Sequence, residues 1–150
     1  MIRLFKFETA IDETVSLVPI AVRRKLDRVG IKIGLDQWRA LGLGERLAIC
    51  HLPTQRQDEC DALSLFIREA VKRTSGAEPK IIDESERMTA EPPATPPPQL
   101  VERARTEGFT LDASAWSDLD SDQRYALMKL GGGKKLSHDF PAALREFLKR

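Results

Sequence analysis

The sequence predicts an all-α protein made of two pseudo-equivalent four-helix units, an internal duplication joined by a Pro-rich linker. Three observations carry this. At an offset of 78 residues, Gly30, Trp38, Leu41, Arg46, Ala48 and Leu52 meet Gly108, Trp116, Leu119, Arg124, Ala126 and Leu130. Ile31, Ile33, Ile49 and Cys50 fall opposite Phe109, Leu111, Leu127 and Met128, so apolar positions recur as well. After a one-residue shift, Ile67-Arg68-Glu69-Ala70-Val71-Lys72-Arg73 faces Leu144-Arg145-Glu146-Phe147-Leu148-Lys149-Arg150. Both tryptophans therefore hold one slot of the repeat. A repeat this short is expected to supply half a core rather than a domain. The predicted parts are an arm at 1–17, a first repeat at 18–74, a linker at 75–95 and a second repeat at 96–150.

Each element has a local reason. In the arm, Leu4-Phe5-Lys6-Phe7 alternates like a strand, but a lone strand has nothing to pair with, so an extended arm is expected. A first helix is predicted over 18–29. Pro19 suits its start, and Val18, Val22, Leu26 and Val29 share one stripe. Gly30 ends it, because the residue after a helix is commonly left-handed and glycine adopts that conformation without a Cβ clash. Ile31 would then pack on Leu26. Pro97-Pro98, Leu100, Ala104, Gly108 and Phe109 repeat the device.

Short apolar connectors follow, Ile31-Lys32-Ile33 and Phe109-Thr110-Leu111. A brief Trp-bearing helix is next, near 35–41 and 113–119, with Asp112 as a good N-cap and Gly34 as the tolerated alternative. A third helix begins near Gly42 or Asp120, where Asp120-x-x-Gln123 reads as a capping box. The fourth carries Leu63, Phe66, Ile67, Ala70 and Val71, matched by Phe140, Ala143, Leu144, Phe147 and Leu148 at the spacing of a core stripe. Between the repeats, 75–95 and the residues just after it hold six of the nine prolines, which favours an extended spacer. Ile81 and Ile82 are the residues able to pin it down.

Bulk properties narrow the function classes. A net charge of +1 provides no global field toward nucleic acid or membrane. The longest apolar runs are far short of a membrane span, and the N-terminus lacks the apolar core of a secretory signal, so a cytoplasmic protein is expected. Two cysteines are too few for a disulfide framework, and Cys50, opposite Met128, reads as a small buried hydrophobe.

The copies differ most in charge. Residues 18–51 carry seven bases and three acids, whereas 96–129 carry four and six. The row Arg23, Arg24, Lys25 and Arg28, with Lys32 beyond it, is the candidate docking face for an acidic protein partner. Nucleic acid fits this face less well, since it lacks aromatics for base stacking. Arg46 and Arg124 are expected to cap the carbonyls of the Trp helix or stack on the indole. Gly131-Gly132-Gly133-Lys134-Lys135 fails as a phosphate loop, because Met128 stands where that motif needs glycine and Lys135 where it needs Ser or Thr. It reads as a helix connector. His51, His138, Cys50 and Cys60 make no metal-ligand spacing, and Ser137-His138-Asp139, adjacent in sequence, is not the spatial arrangement of a triad. No catalytic residue, metal or cofactor is assigned.

Several stretches carry a resemblance. They are Phe5-Lys6-Phe7-Glu8, Val18-Pro19, Arg23 to Asp27, Gly30 and Gln37-Trp38, then Trp116, Gln123 to Leu130 and Phe140 to Phe147. In their order and spacing the chain resembles the bacterial nitrate-reductase-associated protein family over nearly its full length, the Pro-rich linker excepted. It departs at Gly131 to Lys135, where the family usually has a His-containing Ser-Arg-Pro-type loop. The resemblance implies a small cytoplasmic protein linked to assimilatory nitrate reductase and molybdenum-cofactor genes, with no catalytic residues to carry over. The expected role is an accessory or maturation protein that binds nitrate reductase or its maturation machinery. A carrier or inserter of the molybdenum cofactor and a nucleic-acid-binding regulator are the alternatives.

Overall fold

The protein is described by a computed structural model covering residues 2–148. The predicted match of Lys72-Arg73 with Lys149-Arg150 therefore falls outside the described residues at its far end. The chain is mostly helical, and it divides into two compact units, Met1–Ala90 and Glu91–Arg150.

In the first unit, α1 spans Ile20–Val29, α2 Leu35–Ala40, α3 Leu43–His51 and α4 Gln57–Ser75. These match the predicted helices to within a few residues, apart from α4, which begins earlier than its apolar stripe. The core is formed where α1, α2 and α3 meet α4, around Leu26, Trp38, Ile49, Leu63 and Ile67. The expectation that one copy supplies only half a core is thus corrected, because these residues bury one another within a single unit.

Two segments expected to be extended are folded. In the arm, Phe5 and Val15 are buried. The Glu8 carboxylate accepts from the Phe5 amide at 3.0 Å and from the Ile20 amide at 2.8 Å. It therefore satisfies an orphan donor at the start of α1, and its negative charge suits the positive end of the helix dipole. The linker departs further from expectation. Lys80–Ile81 forms β2, antiparallel to β1 (Ile31–Lys32), with Ile31 opposite Ile81 and Lys32 opposite Lys80. A short helix α5 (Glu84–Arg87) and a 3-10 turn at Met88–Ala90 then pack on α1. Of the two pinning residues, Ile82 is buried and Ile81 is exposed. Pro92 to Pro97 lie outside regular structure, between Ala90 and Pro98.

The second unit has α6 (Pro98–Thr106), α7 (Ala113–Ser117), α8 (Ser121–Gly131) and α9 (Phe140–Phe147), with α6 and α9 packed on α8. Asp112 caps α7 through the Ala115 amide, and Asp120 and Gln123 form the predicted capping box of α8. Gly30 and Gly108 are both left-handed, at φ 92° and 86°. Their surroundings differ. After α6, Gly108 and Phe109 donate to Arg105 and Ala104, the paired bonds of a Schellman ending. After α1, the Gly30 amide turns back to Leu26 and Asp27 while its carbonyl accepts from Ile82, and Ile31 is taken up by β2.

Both tryptophans are fully buried, and each indole N–H donates to a carbonyl 23 residues earlier. Trp38 bonds Val15 at 2.8 Å and Trp116 bonds Pro93 at 2.9 Å. Val15 has φ 49°, which is strained for a β-branched residue. Pro93, whose ring fixes φ near −65°, cannot share that geometry.

Candidate protein-docking face

The basic row of α1 does not present itself as one open surface. Arg23 is exposed. Arg24 is half-buried, its Nε donating to the Ala90 carbonyl at 2.8 Å. The Lys25 ammonium donates to the Ile49 and Cys50 carbonyls at 2.8 and 2.9 Å, capping the end of α3. Burial pushes its pKa down, against the influence of the neighbouring Cys50. Arg28 is half-buried, with Nη1 3.4 Å from the Thr54 carbonyl, and its own carbonyl accepts from Arg87. Lys32 is exposed on β1.

The structure adds one base that sequence reasoning missed. Register places Lys80 directly opposite Lys32, and both are exposed. Like charges facing each other across a ladder repel, and Asp83, a few residues on, is close enough to Lys80 for the two to attract. Nothing in local sequence signals the pairing. Counted over whole units, the charge asymmetry between the copies disappears: residues 1–90 carry fifteen bases and fourteen acids, and 91–150 carry nine of each. Any steering by the first unit is therefore local and not a long-range field.

The fate of Lys25 had a signal in the sequence. At the offset of 78 its counterpart is Arg103, whose Nη1 donates to the Gly131 and Gly133 carbonyls at the end of α8. The base on the first helix of each unit thus tethers the end of the third. Arg103 also explains part of the Gly131 to Lys135 loop. The rest is packing: a Cβ on Gly131 would lie 2.7 Å from Leu100 Cδ1 and collide with the Phe140 ring.

The remaining candidates resolve by geometry. Arg124 caps α7 through the Trp116 and Ser117 carbonyls, as expected. Arg46 does not do the same for α2. Its Nε is buried without a hydrogen-bond partner. Cys50 and Cys60 are buried free thiols with pKa values raised chiefly by burial. In the Ser137-His138-Asp139 run, the His138 side chain is exposed and 3.4 Å from Asp139, while Ser137 Oγ accepts from the Asp139 amide. That is a turn, not a nucleophile and base. Among the described residues, no group of three or more His, Cys, Asp or Glu lies together as a metal site, and no helix is long and apolar enough to cross a membrane.

The fold and its surface define a small, two-unit helical protein whose open features are charged and apolar faces. The chain belongs to the conserved nitrate reductase-associated protein family, whose sequence model matches residues 4–147. No curated protein and no solved structure matches it.

Proposed function

We propose that the protein is an accessory or maturation factor that docks on assimilatory nitrate reductase in the cytoplasm, through exposed bases of its first unit. The observation that carries this reading is the family match over residues 4–147, which ties the chain to nitrate reductase by description. Arg23, Lys32 and the solvent-facing part of Arg28 supply the contact, with Lys80 alongside Lys32. Arg24 and Lys25 support it from inside, holding Ala90 and the end of α3 in place. The same proposal takes the two units as an internal duplication in which one copy has kept, and the other has altered, shared structural roles. The matched indole bonds and the Lys25 and Arg103 tethers support that reading.

The experiment is a titration of purified nitrate reductase with wild type and with the Arg23→Glu/Lys32→Glu/Lys80→Glu variant at two salt concentrations. The expected outcome is binding that weakens with salt and falls by roughly tenfold or more in the variant, at unchanged melting temperature. Equal binding by both proteins would overturn the assignment.

A further inference from the structure

The outer side of α1 is covered, and its counterpart in the second unit is not. Arg24, Asp27 and Arg28 are spaced i, i+3 and i+4, a polar stripe turned away from the buried Val22, Leu26 and Val29. Residues Asp83–Ala90, which hold α5 and the 3-10 turn, lie along that stripe. Arg24 Nε donates to the Ala90 carbonyl at 2.8 Å, and Thr89 Oγ1 donates to Asp27 Oδ2 at 3.4 Å. Arg87 Nη2 donates to the Arg28 carbonyl at 3.2 Å. At the matched positions of α6, Glu102, Arg105 and Thr106 are all exposed. The first helix of the second unit thus folds with its outer side in water, so the cover on α1 is an addition to the fold.

The cover is thinly held. Of its eight residues six are exposed, Arg87 is half-buried and only Ala90 is buried. Met88, its one large apolar residue, is 60% exposed. A segment with few buried apolar contacts opens at low free energy, and here opening uncovers charged groups that water solvates well. The root stays fixed, because Ile82 is buried and its amide donates to the Gly30 carbonyl.

We infer that Asp83–Ala90 is an autoinhibitory strap that lifts off α1 to give Arg24 and Arg28 to an acidic segment of a partner protein. The strap carries three acids and one base, so its charge resembles that of the segment it gives way to. The inference rests on the reading that exposed bases of the first unit dock nitrate reductase, and it adds a closed state that limits this docking. When the strap is closed, Arg24 is engaged with Ala90 and both Arg24 and Arg28 are half-buried. Apparent affinity then scales with the fraction of molecules whose strap is open.

The test compares one protein locked and unlocked. Asp27→Cys/Thr89→Cys is joined by a short bis-maleimide cross-linker that contains a reducible disulfide. Binding to nitrate reductase and to a decaglutamate peptide is titrated before and after reduction. The two replacements leave every base in place, mass spectrometry checks the link, and melting temperature checks the fold. Both ligands should bind about tenfold or more weakly when the strap is locked, and recover on reduction. Arg87→Ala/Thr89→Ala loosens the strap from its own side and should bind both ligands about threefold or more tightly than wild type. Loss of a base would by itself act in the opposite direction. Equal binding before and after reduction overturns the strap and leaves the docking reading standing wherever nitrate reductase binds. Lock-dependent binding of decaglutamate alone keeps the strap and removes nitrate reductase as the partner. A loosened variant no tighter than wild type, or no binding of either ligand in any form, overturns the inference.

Discussion

Arg46 and Arg124 hold the same place in the two units and have different neighbours. Arg124 locks the end of α7, whereas Arg46 leaves the end of α2 to its own backbone, where the Leu41 amide bonds the Trp38 carbonyl. The contrast extends outward. The second unit has half-buried Ser121 where the first exposes Leu43, and the first forms a strand pair not seen among the described residues of the second. Residues matched by position are thus not matched by task.

The largest expected effect concerns what the units share. Trp38→Ala and Trp116→Ala should each cost about 3–5 kcal/mol in denaturant titrations, since a fully buried indole and its bond to a backbone carbonyl are lost. A loss well below that range in one unit only would break the equivalence of the two tryptophans.

The arginines sharpen the difference. Arg124→Gln should destabilise by about 1–2 kcal/mol, because it strips two carbonyl bonds from a half-buried site. Arg46→Gln should stay within about 0.5 kcal/mol of wild type, because no internal hydrogen bond of its Nε is lost. Equal effects in thermal melts would show that both arginines do structural work.

Acid titration probes the smallest contrast. The Gly42 amide, and then Arg73, hold the Glu45 carboxylate below its usual value of 4.5. A folded-state value below the unfolded one adds stability that is present above pH 4.5 and lost as pH falls through the depressed value. The melting-temperature gap between wild type and Glu45→Gln should therefore be flat near neutrality and close below pH 4.5. The matched position in the second unit is Gln123, which already caps its helix without a charge, so Gln123→Glu should open a gap of the same sign.

The helices were legible because their causes are local. Stripes such as Val22, Leu26 and Val29, the caps at Asp112 and Asp120, and the stop at Gly30 each lie within a few residues of what they determine. The strand pair was not. Ile31 and Ile81 are fifty residues apart, and two-residue strands leave no periodicity to read. The arm was misread for a similar reason, since Glu8 finds its acceptor role twelve residues on, at Ile20. Of the candidate site, Arg23 and Lys32 could be named from sequence, but Lys80 joins them only through register. That Lys25 is internal could have been suspected from its alignment with Arg103, because a base retained in both copies points to a shared structural duty.

The strand pair has a consequence for synthesis. A nascent chain whose first seventy-five residues have cleared the ribosome exit tunnel has released α1 to α4 but not the strand that closes on Ile31, nor Arg87, which reaches back to the Arg28 carbonyl. The N-terminal unit must wait for its last fifteen residues to clear the exit tunnel, holding Ile31 and the nearby flank of α1 uncovered meanwhile. The second unit, whose tethers span about thirty residues or fewer, closes soon after its last helix emerges.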